Sequence, residues 1–237
     1  VRLRLLPTRR SAAARPGSPA AAVADGGAVA AASAAPPLSR WRPGPARLAR
    51  LIFGLTLFGI GEGLVVNSQL GNSPWTVFAE GVSEHTPLTI GTATIASSFA
   101  ILFVWLPMGE RPGLGTIANA AGIGLVIDVT LSVVGPAPLG VRALEVLGGI
   151  ALVGVGSGFY LGAALGPGPR DGLMTGLHRV TGRPLALLRA GIELSALVAG
   201  AVLGGTVGVG TVAFALLVGP AVATAVRVAP GAVRPPE

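Results

Sequence analysis

Residues 51–74 read LIFGLTLFGIGEGLVVNSQLGNSP, and residues 146–169 read VLGGIALVGVGSGFYLGAALGPGP. Each stretch opens on an apolar run close to the ~20 residues that cross ~30 Å of hydrocarbon at 1.5 Å per residue. Each ends in the same unit, Gly71-x-x-Pro74 or Gly166-x-x-Pro169, 95 residues apart. The offset persists along the chain. Gly54, Leu57, Gly59, Gly61, Gly63, Leu70, Gly81 and Thr86 meet Gly149, Leu152, Gly154, Gly156, Gly158, Leu165, Gly176 and Thr181. Gly109, Gly113, Gly115, Thr116, Ala118, Ala120 and Gly124 meet Gly204, Gly208, Gly210, Thr211, Ala213, Ala215 and Gly219. With the two Gly-x-x-Pro units these are 17 matches in positions 51–124, at one gap-free offset. The pattern is read as an internal repeat.

Working outward, six apolar runs of membrane-crossing length follow one another: Leu51–Leu70, Leu88–Met108, Leu114–Val134, Ala143–Leu165, Pro184–Leu203 and Thr206–Val226. Composition agrees. Of the 237 residues, 51% are apolar and 11% charged, and mean hydropathy is +0.72. A soluble domain carries about 25% charged residues, so a water-covered surface is excluded. The expected fold is an all-α membrane protein: six transmembrane helices as two repeats, about 51–134 and 143–226, within a membrane domain spanning 46–228. Three spans per repeat is an odd number, so the second repeat is inverted relative to the first. Inverted repeats are a recurrent plan of secondary transporters, with the site near the midplane between the halves.

All 17 basic residues are Arg, and nine lie in the first fifty positions. Residues 51–237 hold eight Arg against nine acids, so the net charge of +7 belongs to the tail. Nucleic-acid binding is therefore not expected. With the N-terminus inside, fifteen Arg fall on the cytoplasmic side and only Arg142 on the other. The positive-inside rule then puts both termini in the cytoplasm of a multi-pass protein of the cytoplasmic membrane. Residues 1–45 are rich in Ala, Pro and Arg and are read as a disordered cytoplasmic tail. Residues 229–237 form a second tail. Arg9-Arg10 lacks the apolar run of a twin-Arg signal, and Asp25-Gly26-Gly27 interrupts the Ala-rich stretch.

Three stretches carry a family likeness: Gly71-Asn72-Ser73-Pro74-Trp75-Thr76-Val77-Phe78, Gly113-x-Gly115-Thr116-x-x-Asn119, and Gly166-Pro167-Gly168-Pro169-Arg170-Asp171-Gly172-Leu173-Met174. Over roughly residues 48–228 the chain resembles the YczE/YyaS/YitT family of bacterial membrane proteins. The long N-terminal tail departs from that family. The resemblance implies an integral protein of the bacterial cytoplasmic membrane, and it carries no reaction, substrate or catalytic residue.

Ser73-Pro74 and Gly168-Pro169 read as an N-cap followed by Pro at the first helical position. Each repeat then has a short helix of about three turns between its first two spans, the second ended by Gly182. Such a helix lies on the membrane surface, or the pair re-enters from opposite sides with positive N-terminal ends toward one ligand. Trp75-Thr76 in the first is replaced by Arg170-Asp171 in the second. Those two charges are solvated or paired with a neighbour, or Arg170 reads an anionic group while Asp171 fixes its geometry.

Glu62, Asp128, Arg189 and Glu193 fall inside spans, where an ionisable group costs about 2.5–3.5 kcal/mol on insertion scales. Arg189 and Glu193 are spaced i,i+4 and can neutralise each other, and Arg189 is near enough to the cytoplasmic end to snorkel. Glu62 and Asp128 are expected at similar depth on two helices of one repeat. There they share a proton or bind a cation or amine, or each is protonated and bonded to backbone. The glycine ladders, with Asn67 within the first, are read as close helix packing.

Enzyme signatures are poor. The chain has no Cys and two His, too few for a metal cage, and no Walker or dinucleotide motif stands in a fitting context. No enzyme, no catalytic residue, no metal and no cofactor are expected. The function expected is small-molecule or ion transport through a midplane site drawn from Glu62, Asn67, Trp75, Asp128, Arg170, Asp171, Arg189 and Glu193. The alternative is a non-transporting membrane factor that binds or supports another membrane protein. Expected partners are the lipid bilayer, an unidentified small molecule or ion, and a second copy or another membrane protein.

Overall fold

The computed structural model describes residues 40–228. The expected tail through residue 39 and the expected tail 229–237 lie outside them. The described residues form eight helices and no strand: α1 Pro45–Ser68, α2 Pro74–Glu84, α3 Ile90–Met108, α4 Leu114–Val133, α5 Leu139–Gly162, α6 Pro169–Thr181, α7 Leu185–Val202 and α8 Val209–Val228. Five of them, α1, α4, α5, α7 and α8, are long and apolar enough to cross a membrane. α3 carries a shorter apolar stretch, Ile90–Trp105. The chain is a multi-pass helical membrane protein.

Local chemistry sets the boundaries. α1 starts six residues before the expected Leu51 because Pro45, with its φ pre-set, takes the first helical position after Gly44. α2 and α6 start the same way, behind Ser73 and Gly168 in extended conformation, with Pro74 and Pro169 first in the helix. Gly182, at φ 67°, ends α6 as expected.

α1 and α5 form the centre and run antiparallel, because Gly54 faces Gly156 while Gly61 faces Gly149. A Cβ at Gly61 would sit 2.5 Å from the Gly149 carbonyl oxygen, and one at Gly149 would sit 2.6 Å from that of Gly61. Small residues thus let two backbones touch where larger ones would hold them apart. The contacts recur at positions 95 apart. Gly59 and Gly63 of α1 pack on Val126 and Thr130 of α4, and Gly154 and Gly158 of α5 pack on Ala221 and Ala225 of α8. α2 packs on α7, and α6 packs on α3.

The loops match in the same way. Gly71 and Gly166 have φ of 113° and 116°, a region that L side chains rarely adopt. Gly71 lies against Gly208 and Thr211, and Gly166 against Gly113 and Thr116. Gly210 N–H donates to the Leu70 carbonyl at 2.7 Å, and Gly115 N–H donates to the Leu165 carbonyl at 2.9 Å. Two apolar cores flank the centre. One holds Leu51, Leu55 and Tyr160, and the other holds Val146, Ile150 and Val65, the residues 95 positions away.

Candidate functional site

Between these cores lies a cavity of about 160 Å³. Its lining draws on equivalent positions of the two halves: Glu62 and Ser157, Ser73 and Gly168, Trp75 and Arg170, Asn119 and Phe214. The two short helices therefore bring their N-terminal ends, Ser73 and Gly168, to one hollow. α1 and α5 supply its walls, and α7 adds Arg189 and Glu193.

Glu62 is the most enclosed ionisable side chain among the described residues, at 1% exposure. Its Oε2 accepts from the Ser73 hydroxyl at 2.9 Å and from the Thr76 hydroxyl at 2.7 Å. Its Oε1 has no hydrogen-bond partner among the described residues. Ser73 stands at the N-cap of α2, yet its side chain makes no capping bond. Its hydroxyl serves Glu62 instead, which leaves the positive end of α2 uncapped by that side chain, at the cavity.

Arg170 and Trp75, equivalent positions in the two halves, meet directly: the guanidinium carbon lies 5.4 Å from the ring centroid. A cation over an aromatic face is attracted by the ring quadrupole. Among the described residues the Arg170 guanidinium makes neither hydrogen bond nor ion pair, so its N–H groups stay available to the cavity it lines. Asp171 lines the cavity one residue further on. Arg189 Nε donates to Glu193 Oε1 at 3.0 Å, the i,i+4 neutralisation expected. The hollow thus gathers two guanidiniums, three carboxylates and two helix N-termini, with donors for an anionic group and an open acceptor for a cationic one.

Six of the eight expected residues line this hollow: Glu62, Trp75, Arg170, Asp171, Arg189 and Glu193. Two do not. Asp128 binds the start of α3, accepting from the Thr89 hydroxyl at 2.5 Å and from Gly91 N–H at 2.8 Å. It satisfies an otherwise orphaned helix N-terminus, so the expected Glu62–Asp128 site is corrected. Asn67 sits at the far end of α1, where its amide donates to Glu145 at 2.9 Å and to the Gly135 carbonyl at 3.2 Å. It ties α1 to the start of α5 and takes no part in the cavity.

The sequence reading missed Ser157, Asn119 and Tyr160, all in the lining. Ser157 was open to discovery as the residue 95 positions after Glu62. Trp105 was missed as well. Its indole N–H donates to the Pro169 carbonyl at 3.1 Å, which fixes the first residue of α6 beside the cavity.

The family of unknown function DUF6198 matches residues 45–227. An uncharacterized protein of Haemophilus influenzae is 40% identical over 182 residues, covering 76% of this chain and 84% of its own. The uncharacterized membrane protein YczE of Bacillus subtilis is 33% identical over 169 residues, 70% of this chain and 79% of its own. The uncharacterized protein YyaS of the same organism is 26% identical over 163 residues, 67% of this chain and 81% of its own. These relatives bear out the resemblance carried by the Gly-x-x-Pro stretches. No solved structure matches the chain.

Proposed function

Because the chain belongs to the family of unknown function DUF6198, its activity has to be argued from its own cavity, and we propose a small-molecule or ion transporter of the cytoplasmic membrane. The observation that carries this reading is the convergence of Ser73 and Gly168, the starts of α2 and α6, on one hollow that also holds Glu62 and Arg170. Helix N-termini aimed at a buried polar site between two halves are a recurrent transporter arrangement.

The reading takes α3 as a sixth span and the halves as inverted repeats. Support comes from the antiparallel α1–α5 crossing and from the contacts that recur 95 residues apart. It takes α2 and α6 as re-entrant. Ser73 reaches Glu62, six residues or ~9 Å back from the end of α1 at 1.5 Å per residue. It takes both termini as cytoplasmic. In support, groups expected on that side gather at one end: Arg40 donates to the Arg111 carbonyl at 3.3 Å, and Arg179 pairs with Glu110 at 3.1 Å. Asn67, Gly135 and Glu145 gather at the other.

The test is a thermal-shift screen of the purified protein against inorganic ions, amines, organic anions and peptides, with Glu62→Gln and Arg170→Gln alongside. A ligand bound to the native state raises the apparent melting temperature. The expected result is a shift in the parent that either variant loses while its unliganded melting stays near the parent's. Hits that persist unchanged in both variants would contradict the site.

A further inference from the structure

A second hollow of about 620 Å³ lies beside the first, between α2, α6 and α7. Its walls are apolar, with Phe78, Leu173, Leu187 and Leu188 among them, and its one charged lining residue is Arg183 in the α6–α7 connection. Trp75 and Ile192 line both hollows, so these two side chains are shared by the polar cavity and the apolar groove. α7 supplies most of the groove's lining and has the least buried apolar window of the five long helices, 11%. The groove thus lies along a helix most of whose apolar surface is left to lipid.

The two hollows differ in size and chemistry in a way that suits one kind of molecule. The polar one, about 160 Å³, is of a size for a small polar head. Its Arg170 N–H groups suit an anionic group, and the buried, unpartnered Glu62 Oε1 suits a cationic donor. The apolar one adjoins it at Trp75 and Ile192 and has the size and lining to suit an apolar chain. We infer that the ligand is a single-chain amphiphile with a zwitterionic head, the head held between Glu62 and Arg170 and the chain lying in the α2–α7 groove. Entry is then sideways from the bilayer, past Trp75 and Ile192. This inference rests on the polar cavity being the ligand site, as proposed above.

The experiment uses the full chain in lipid nanodiscs and reads Trp75 fluorescence, taken as the difference between the parent and Trp75→Phe. The quenchers are single-chain amphiphiles brominated on the chain, at equal mole fraction in the bilayer, with an ethanolamine phosphate, a sulfate or a trimethylammonium head. Preferential quenching by the zwitterionic head is expected. Glu62→Gln and Arg170→Gln should each lower that preference about tenfold or more, as loss of one desolvated charge contact does, with unliganded melting near the parent's for Glu62→Gln and lowered in Arg170→Gln only by the loss of its contact with Trp75. Quenching that ignores head and variant would mean ordinary bilayer lipid in the groove and would overturn the inference. A second copy of the chain seated there would exclude every quencher and would overturn it too. Soluble phosphoethanolamine is the separating arm. If it stabilises the protein in a Glu62-dependent way and no amphiphile is preferred, the amphiphile falls and the transport site stands.

Discussion

Ser73-Pro74-Trp75-Thr76 and Gly168-Pro169-Arg170-Asp171 occupy equivalent places in the two halves and open equivalent helices. Only the prolines are shared. The frame around them is kept: Gly71 and Gly166 have nearly the same φ, and each closes on the N-terminus of the other half's last helix. The cavity side chains have diverged. Trp75 faces Arg170 across the site, Thr76 binds the Glu62 carboxylate, and Ser157 stands where the other half has Glu62. Even the packing of the short helices is redistributed. Gly200 of α7 gives room to the Val77–Phe78 backbone of α2, whereas Gly172 of α6 gives room to the Trp105 ring of α3. A frame repeated twice holds a site that is not repeated, so a bound molecule meets two different ends.

The equivalence of the frame is the easiest part to break. Gly61→Leu and the equivalent Gly156→Leu, 95 positions on, each push a side chain into the other helix's backbone at the α1–α5 crossing. Overpacking of this kind costs about 3 kcal/mol or more. Thermal denaturation in detergent should show matched losses, and a loss confined to one would end the equivalence. Gly71→Ala and Gly166→Ala come next, at about 1–3 kcal/mol each for the positive φ, again matched and read from melting.

The asymmetry of the site calls for the opposite result. Glu62→Gln should weaken ligand binding about tenfold or more, measured by titrating a screen hit, because an amide replaces the charge while still accepting the two hydroxyls. Ser157→Ala at the equivalent position should leave binding nearly unchanged. Trp75→Arg and Arg170→Trp should each lose about 1 kcal/mol from the cation–aromatic contact. The double exchange should recover most of it in a thermal double-mutant cycle. Asp128→Asn should likewise cost about 1 kcal/mol of stability through the start of α3, with ligand affinity untouched.

Much of this frame was legible because an apolar run of bilayer length and a 95-residue echo depend on composition and spacing alone. The cavity was legible in part. Charges inside apolar runs pointed to Glu62, Arg189 and Glu193, and the Gly-x-x-Pro units pointed to Trp75, Arg170 and Asp171. Depth along a helix says nothing of direction around it, however. Asp128 turns toward Gly91, where the missing side chain lets the carboxylate reach the backbone N–H. Asn67 marks the end of α1 and meets Glu145 only because α5 runs antiparallel to it. The partners of Glu62 depend on how far the loop after α1 dips back, which no local pattern in residues 69–76 encodes.

In the proposed transporter, one cavity between two unlike halves serves both sides of the membrane. The chain has no cysteine, so Ser157→Cys places a single thiol in the cavity wall against a silent background. Its labelling by a membrane-impermeant maleimide, applied to right-side-out and to inside-out vesicles, reads that two-sided access. Transport through this site predicts modification from each side, slowed from each side by a bound ligand. Modification from one side only, with the folded protein otherwise unchanged, would contradict it.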